Sequence, residues 1–193
     1  MDQKELRTLQ ILEEIQKNQL PSQRDLAKEL KISLGLVNSF LKKLAHKGYL
    51  KIKAVPANRI KYILTPHGIA EKARLTLEYT KFSVGFYKQS RLKSSALLQQ
   101  FEKEGVSRIV LYGANELSEI FYISMRESAV KLEAIVDDKT CGNDFLGNKI
   151  LDPDELLSLS YAKIVITAIA SQEIIRKKLI ANGIKKEKVV MIE

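Results

Sequence analysis

The stretch from Ser22 to Leu64 constrains the fold of this chain more than any other, because helical and strand patterns follow one another there in a fixed order. Ser22 is a natural N-cap, and Leu26, Ala27 and Leu30 follow it at helical spacing. Lys31 and Ile32 form a short connection, after which Ser33 caps a second predicted helix. That helix buries apolar residues at i, i+3, i+4 and i+7, namely Val37, Phe40, Leu41 and Leu44.

A two-stranded ribbon is predicted to follow the second helix. Gly48 ends that helix, and residues 49–53 alternate in the manner of a strand. Residues 56–58 predict a turn, and residues 60–64 predict the return strand. Two helices joined by a turn and followed by such a ribbon have the layout of a winged helix-turn-helix.

The side of the second helix that faces away from its apolar stripe is small, polar or basic. Such a face can approach the floor of a DNA major groove while its basic residues hold phosphates. We therefore interpret the unit as a module that binds double-stranded DNA. On the helix, the predicted contacts are Leu34, Gly35, Asn38, Ser39, Lys42 and Lys43; on the wing, they are Lys53, Asn58, Arg59 and Lys61.

The distribution of charge agrees with this interpretation. Residues 1–104 hold 20 Lys and Arg against 10 Asp and Glu, whereas residues 105–193 hold 12 against 13. Excess lysine can also serve only as a solvated surface. Its location in the half that carries the helix-turn-helix pattern favours phosphate contacts.

The same composition limits where such a protein works. The sequence has no run of 18 apolar residues, so we expect no membrane span. The first ten residues are charged and lack an apolar signal core, and Cys141 is the single cysteine. We therefore expect a protein of the reducing cytoplasm.

About the first 80 residues resemble the MarR-type winged-helix regulators found with exopolysaccharide gene clusters. The resemblance is carried by LRTLQILEEIQKN, SQRDLAKEL, SLGLVNSFLKKLAHKGYLK and KYILTPHGIAEKARLTLEY. It implies a dimeric transcriptional regulator. It also implies DNA contacts from Ser33, Leu34, Gly35, Asn38, Ser39, Lys42 and Lys43.

A further helix is predicted to trail the wing, with Thr65 as N-cap and Pro66 at its first position. Its apolar residues occupy two sides, which suggests that a partner as well as its own domain covers it. This pattern favours a homodimer. The alternative is that the helix packs only on its own winged-helix domain. We predict a winged-helix domain over residues 1–82, a linker over 83–95 and a second domain over 96–193.

In the second domain, strands alternate with helices. Strands are predicted at 108–112, 132–138, 149–151, 162–169 and 189–192, and helices at 96–101, 116–126, 153–159 and 172–181. This alternation implies a parallel sheet wrapped by helices on both faces, a Rossmann-like fold. The whole chain is therefore predicted to be α/β, with a mainly helical winged-helix domain in front.

The carboxyl ends of parallel strands are where such a sheet binds ligands. We predict a ligand site at Gly113, Ala114 and Asn115, with Asp137 at the end of the next strand in a position suited to ribose hydroxyls. Only the first glycine of G-x-G-x-x-G is present, which disfavours the usual dinucleotide pose. The cofactor is unknown, with a nucleotide or nucleotide sugar as the candidate.

Residues 106–192 resemble the N-terminal nucleotide-binding domains of sugar-modifying enzymes. Three pieces carry the resemblance: YGAN at 112–115, VDD at 136–138 and FLGNKIL at 145–151. It implies a nucleotide-binding fold and leaves the ligand open.

Catalysis has little support in the sequence. We find no Ser-His-Asp set, no metal-ligand spacing of His and Cys, and no G-x-S-x-G elbow. Asp137 and Asp138 are adjacent on a strand and should point to opposite faces. We predict a regulator rather than an enzyme, in which the rear domain senses a small-molecule effector or mediates assembly; the alternative is a nucleotide-sugar-metabolising enzyme that carries a DNA-binding domain.

Overall fold

The computed structural model describes residues 1–17, 21–55 and 59–192, with the side chain of Arg59 excepted. The chain divides into two compact units, residues 1–85 and 86–193. The predicted turn at 56–58 lies outside the described residues.

The first unit follows the predicted winged-helix order. Its elements are α1 (Gln3–Lys17), α2 (Gln23–Glu29), α3 (Leu34–His46), the antiparallel strands β1 (Leu50–Val55) and β2 (Arg59–Leu64), and the first part of α4 (Pro66–Lys103). Ser22 caps α2 as predicted, because its hydroxyl accepts from the Asp25 N–H at 3.1 Å and the Asp25 carboxylate accepts from the Ser22 N–H at 2.9 Å.

One apolar core holds these elements together. All three helices, the hairpin and the start of α4 contribute to it, through Leu9, Ile11, Leu12, Ile15, Leu26, Val37, Leu41, Leu44, Leu50, Tyr62 and Leu75. Phe40, which was predicted to be buried, is only half-buried at the edge of this core. Burial of one side of α3 fixes which of its residues remain exposed.

Helix α4 differs from the prediction. Residues 83–95, expected to be a linker, are helical, and the short helix expected at 96–101 is the last part of α4. The segment has no proline, and a glycine such as Gly85 costs a helix interior only about 1 kcal/mol. Its Lys, Gln, Arg and Leu residues favour a helix, so α4 continues to Lys103. It ends just before Gly105, whose φ is +72°.

The second unit contains a six-stranded sheet. Its strands are β3 (Arg108–Tyr112), β4 (Lys131–Val136), β5 (Asp144–Phe145), β6 (Asn148–Leu151), β7 (Lys163–Ile166) and β8 (Val189–Met191), in the order β5-β6-β4-β3-β7-β8. All neighbours are parallel except β5 and β6. The chain builds one half of the sheet outward from β3 and then returns to build the other, so the switch point lies between β3 and β7.

Helices cover both faces of this sheet, as the alternation predicted. Ile109 and Leu111 of β3 lie in one core with Phe121 of α5 (Glu116–Met125) and the end of α4. Val110 and Tyr112 lie in the other core with Ile175 and Leu179 of α6 (Gln172–Ala181). Three short 3-10 helices complete the unit, at Pro153–Ser158, Ile169–Ser171 and Lys186–Lys188.

Three local features depart from the expected strands. The strand predicted at 132–138 ends at Val136, so Asp137 and Asp138 follow it. The strand predicted at 162–169 ends at Ile166, and the residues after it form a loop and a 3-10 turn. The hairpin of β5 and β6 was not predicted. It turns through Leu146 and Gly147, with φ of 54° and 74°, as a two-residue loop of left-handed residues requires.

Candidate DNA-binding surface and ligand site

Helix α3 presents a polar and basic face on the side opposite the core. Ser33 caps the helix, with its hydroxyl accepting from the Leu36 N–H at 3.3 Å. Five of the predicted contacts on the helix are exposed: Leu34, Gly35, Ser39, Lys42 and Lys43. His46 is also exposed, four residues beyond Lys42 and therefore on the same face. His46 was not among the residues predicted to contact DNA, although its helical spacing indicated it.

Gly35 contributes to this face by lacking a side chain. A Cβ atom built on Gly35 would have no atom within 4 Å. The backbone of this turn is therefore open to close approach from outside the protein.

Asn38 is placed differently from its predicted neighbours. It is half-buried, and its Oδ1 atom is buried without a hydrogen-bond partner among the described residues. At 100° per residue Asn38 lies beside the buried Leu41 rather than in the centre of the exposed face. Contact between Asn38 and a base stays a prediction, and the geometry favours Ser39 for that position.

The wing has two distinct faces. Leu50 pairs with Leu64 and Ile52 with Tyr62, on the side that continues from the core. The other side carries lysines, because Lys53 is directly opposite Lys61, with Lys51 two residues before it. Like charges directly opposite one another destabilise a strand pair, whereas a polyanion that lies across them would remove the repulsion.

The tip of the wing is described only in part. Arg59 is part of β2, where its backbone pairs with Val55. Asn58 lies outside the described residues. Lys51 was not among the predicted DNA contacts, but it belongs to the lysine-bearing face because side chains alternate along a strand.

In the second unit, Gly113 follows β3 at the switch point. Its φ is +118°, and a Cβ atom would lie 2.9 Å from Thr167 Oγ1 and 3.0 Å from the Ala168 nitrogen. The Thr167 hydroxyl is itself buried, 2.9 Å from the carbonyl oxygens of Tyr112 and Gly113. Close packing against the end of β7 therefore accounts for this glycine without a bound pyrophosphate.

Asn115 caps α5 with its own side chain. Its Oδ1 accepts from the N–H groups of Leu117 at 2.9 Å and Ser118 at 3.2 Å, and its Nδ2 donates to the Thr167 carbonyl at 3.2 Å. These are the amides that a phosphate at a helix N-terminus would use. An anion at this place would have to displace the Asn115 side chain.

Asp137 links two loops of the second unit. Its Oδ2 accepts from the Ala114 N–H at 3.0 Å, and its Oδ1 accepts from the N–H groups of Lys139 at 2.8 Å and Thr140 at 3.0 Å. Burial raises the pKa of this carboxyl, but the hydrogen bonds from the Ala114, Lys139 and Thr140 amides outweigh it and hold the pKa below its ordinary value. The structure thus brings Gly113, Ala114, Asn115 and Asp137 together at the carboxyl ends of β3 and β4, and their binding of a ligand stays a prediction.

Asp138 has different partners. The Tyr112 hydroxyl donates to its Oδ2 at 2.8 Å, and Lys178 forms an ion pair with its Oδ1. The two adjacent aspartates have separate partners, as predicted, although both follow β4 rather than lying on a strand. Among the described residues, no cluster of His, Cys, Asp and Glu could hold a metal ion, and no helix is long and apolar enough to cross a membrane.

Two family models match separate parts of the chain. Residues 5–51 match a winged helix-turn-helix DNA-binding domain, and residues 105–190 match the domain described as C2185-like, N-terminal. The first match and the observed fold agree that the front unit is a winged helix-turn-helix. No curated protein sequence matches the chain.

Among solved structures, the chain is similar to a MarR family transcription regulator, at 19% identity and a TM-score of 0.39 over 43% of this chain and 56% of that one. It is also similar to MepR, a transcription regulator of a Staphylococcus aureus multidrug efflux pump, at 24% identity and a TM-score of 0.39 over 46% of this chain. A MepR–DNA complex matches at 23% identity with the same TM-score and the same share of this chain. The matched regions span 65% and 64% of the two MepR chains. Each likeness covers less than half of this chain.

Proposed function

We propose that this protein is a DNA-binding transcriptional regulator of the MarR-like type that acts as a homodimer in the cytoplasm. The observation that carries the proposal is the coincidence of an exposed polar and basic face on α3 with a lysine-bearing face on the wing, in one winged helix-turn-helix unit. The helix supplies groups for base edges, and the lysines supply phosphate contacts. The exopolysaccharide association implied by the sequence resemblance stays a prediction.

The experiment is a fluorescence-anisotropy titration of duplex DNA at several salt concentrations. Replacing Lys43 by Gln should weaken binding to all sequences alike and lower the slope of log K against log [salt] by about one, since one phosphate contact is lost. Lys103→Gln is the matched control, because Lys103 is an exposed lysine at the far end of α4. Equal slopes for wild type and Lys43→Gln would argue against the proposed surface.

For the second unit we propose a Rossmann-like regulatory domain that binds a nucleotide-type effector at the switch point of its sheet. The support is the strand order, together with the convergence of Ala114, Asn115 and Asp137 at the carboxyl ends of β3 and β4. Three lone-pair directions of Asp137 are used by backbone amides, so a ribose hydroxyl would share the carboxylate with them. The N–H groups at the start of α5 already donate to the Asn115 side chain, which disfavours a tightly held phosphate there.

This part is tested by thermal shift with adenine, nicotinamide and sugar nucleotides at millimolar concentration. Binding at a hundredfold excess over Kd should stabilise the protein by about 2.7 kcal/mol. Asn115→Ala uncaps the helix and should increase the response to phosphate-bearing ligands. If no nucleotide changes the melting temperature of the wild type or of Asn115→Ala, assembly is left as the role of this unit. Turnover of a nucleotide sugar would instead favour the enzyme alternative.

A further inference from the structure

The carboxyl ends of the strands in the second unit carry an excess of acidic residues. The loops there, with the first turns of the helices that follow, hold eight carboxylates against one lysine, Lys139. The eight are Glu116, Asp137, Asp138, Asp144, Asp152, Asp154, Glu155 and Glu173. Two further basic residues reach this end from within α6, because Lys178 pairs with Asp138 and Arg176 pairs with Glu173. The site proposed at Gly113 therefore lies at a negatively charged end of the sheet.

The amino ends of the strands have the opposite excess. Residues 103–108, 126–131, 160–163 and 185–188 lead into four of the parallel strands, and they hold eight basic residues against three acidic ones. The near balance of charge over the rear half of the sequence thus combines a negative carboxyl end with a positive amino end. A ligand at the switch point responds to the local charge rather than to the total.

Three of the carboxylates converge beside Gly113. Strands β4 and β6 end in register, so Asp137 and Asp152 follow as neighbours at the ends of two adjacent parallel strands. Asp138 accepts from the hydroxyl of Tyr112, the residue before Gly113. Burial raises the pKa of Tyr112, and the negative charges of Asp138, Asp137 and Asp152 raise it further. All three carboxylates therefore act on one hydroxyl at the edge of the proposed site.

Groups that would offset the charge of a phosphate already have partners. The N–H groups at the start of α5 donate to Asn115, and the Asp154 N–H at the start of the next 3-10 helix donates to Asp152. The Lys178 ammonium is paired with Asp138. A phosphate bound here would meet repulsion from the carboxylates and would have to displace one of these side chains.

Asp137 instead offers an acceptor to a ligand. A carboxylate accepts hydrogen bonds in about four directions. The backbone amides of Ala114, Lys139 and Thr140 use three of them. One direction is left for a hydroxyl or ammonium group, so the site fits a ligand that donates hydrogen bonds or carries a positive charge.

We infer that the effector of the second unit is a nucleoside without a phosphate group, and that a positive charge on the nucleoside strengthens its binding. This inference rests on the ligand site proposed above and names the class of its ligand. Protein surfaces reach potentials of several kT, and about 2.3 kT per unit charge corresponds to a tenfold change in affinity. We therefore expect about a tenfold change in Kd for each unit of charge on the ligand.

The test is isothermal titration calorimetry of the full chain with three adenosine derivatives that differ only at the 5′ carbon. These are the 5′-amino-5′-deoxy derivative, adenosine itself and adenosine monophosphate, and the series is repeated on uridine and guanosine. The amine should bind most tightly and the monophosphate most weakly. The differences should shrink between about 0.01 M and 0.1 M salt, since the Debye length falls from about 30 Å to about 10 Å.

The outcomes separate this inference from the proposed site. A monophosphate that binds as tightly as its nucleoside, or more tightly, would overturn the inference and leave the site in place. If no compound in the three series gives heat and no nucleotide shifts the melting temperature, the proposed site falls and the inference falls with it.

A matched pair of variants tests whether the acidic end causes the selectivity. Asp138→Asn removes one negative charge, and its side-chain oxygen can still accept from the Tyr112 hydroxyl. It should reduce the ratio of affinities between amine and monophosphate several-fold. Glu187→Gln removes the same charge at the exposed amino end of the sheet and should leave the ratio unchanged. Circular dichroism checks that both variants are folded, and equal ratios for the two would overturn the inference.

Discussion

The carbonyl oxygen of Tyr49 lies so close to Gly68 that a Cβ atom on Gly68 would be 2.1 Å from it. The same carbonyl accepts a hydrogen bond from the Thr65 N–H at 3.1 Å, and the Thr65 hydroxyl donates to the Gly48 carbonyl at 2.6 Å. The first turn of α4 is thus packed directly onto the backbone that connects α3 to the wing.

Gly68→Ala should destabilise the first unit by about 1–3 kcal/mol or more, because the obstructing atom belongs to the backbone and cannot move aside cheaply. Gly85→Ala, in the same helix with no atom within 4 Å of its added Cβ, should instead stabilise the protein by up to about 1 kcal/mol. Urea unfolding followed by circular dichroism measures both. Similar midpoints for the two variants would contradict the close approach.

Replacing Ser94 of the second unit by alanine should make the protein more stable. Its side chain is fully buried, and its hydroxyl has no hydrogen-bond partner among the described residues. Removing an unsatisfied buried hydroxyl recovers its desolvation cost, so we expect Ser94→Ala to stabilise by about 1 kcal/mol.

Ser124 is the matched control for Ser94. It is also buried, but its hydroxyl donates to the Ile120 carbonyl at 2.9 Å. Ser124→Ala should therefore be neutral or destabilising by up to about 1 kcal/mol. In differential scanning calorimetry, Ser94→Ala should raise the melting temperature, whereas Ser124→Ala should leave it unchanged or lower it. Equal shifts would argue against an unsatisfied Ser94 hydroxyl.

Asp137→Asn should lower the free energy of unfolding at neutral pH by about 1–3 kcal/mol, since an amide cannot accept from all three backbone donors. The folded pKa of Asp137 is depressed, so its contribution is present above the unfolded pKa of about 3.9 and is lost as pH falls through the folded value. The difference between wild type and variant should therefore shrink in acid.

Asp138→Asn serves as the neighbouring control for that experiment. Its ion pair with Lys178 is exposed, and such pairs contribute about 0–1 kcal/mol, while the side-chain oxygen of an asparagine can still accept from the Tyr112 hydroxyl. Urea unfolding at pH 7 and pH 3 should show a large, pH-dependent effect for residue 137 and a small one for residue 138. Equal effects at pH 7 would contradict the role of Asp137 in joining the loops.

Gly35→Ala tests whether the first turn of α3 approaches DNA closely. The added methyl group meets no protein atom, so helix α3 should become more stable by up to about 1 kcal/mol. We expect DNA affinity to fall in the same variant, because the methyl group occupies the space left for the ligand. Unchanged affinity in an anisotropy titration would place this turn outside the DNA contact.

Local signals account for what the sequence predicted well. The periodicity of α2 and α3, the cap at Ser22 and the alternation of the wing each depend on residues a few positions apart. The same holds for the strand at 108–112 and the glycine that follows it. These signals located the residues of the candidate sites, including the meeting of Gly113 and Asp137.

The roles of those residues depend on distant partners, which the sequence could not supply. Asn115 bonds to Thr167, 52 positions away, and Asp137 bonds to Ala114, 23 positions away. The FLG piece that suggested a nucleotide-binding domain forms the β5–β6 hairpin turn, with Leu146 packed against the core. The hydrogen bonds and packing of the loops thus account for residues that resemble a ligand motif.

The opposed lysines of the wing make the hairpin sensitive to salt in two contrary ways. In the free protein, counterions screen the repulsion between Lys53 and Lys61, so higher ionic strength favours the ordered strand pair. In the proposed DNA complex, the phosphates already neutralise the pair, and added salt competes with them. The hairpin of the free protein is therefore most strained at low ionic strength, the condition in which the proposed complex is tightest.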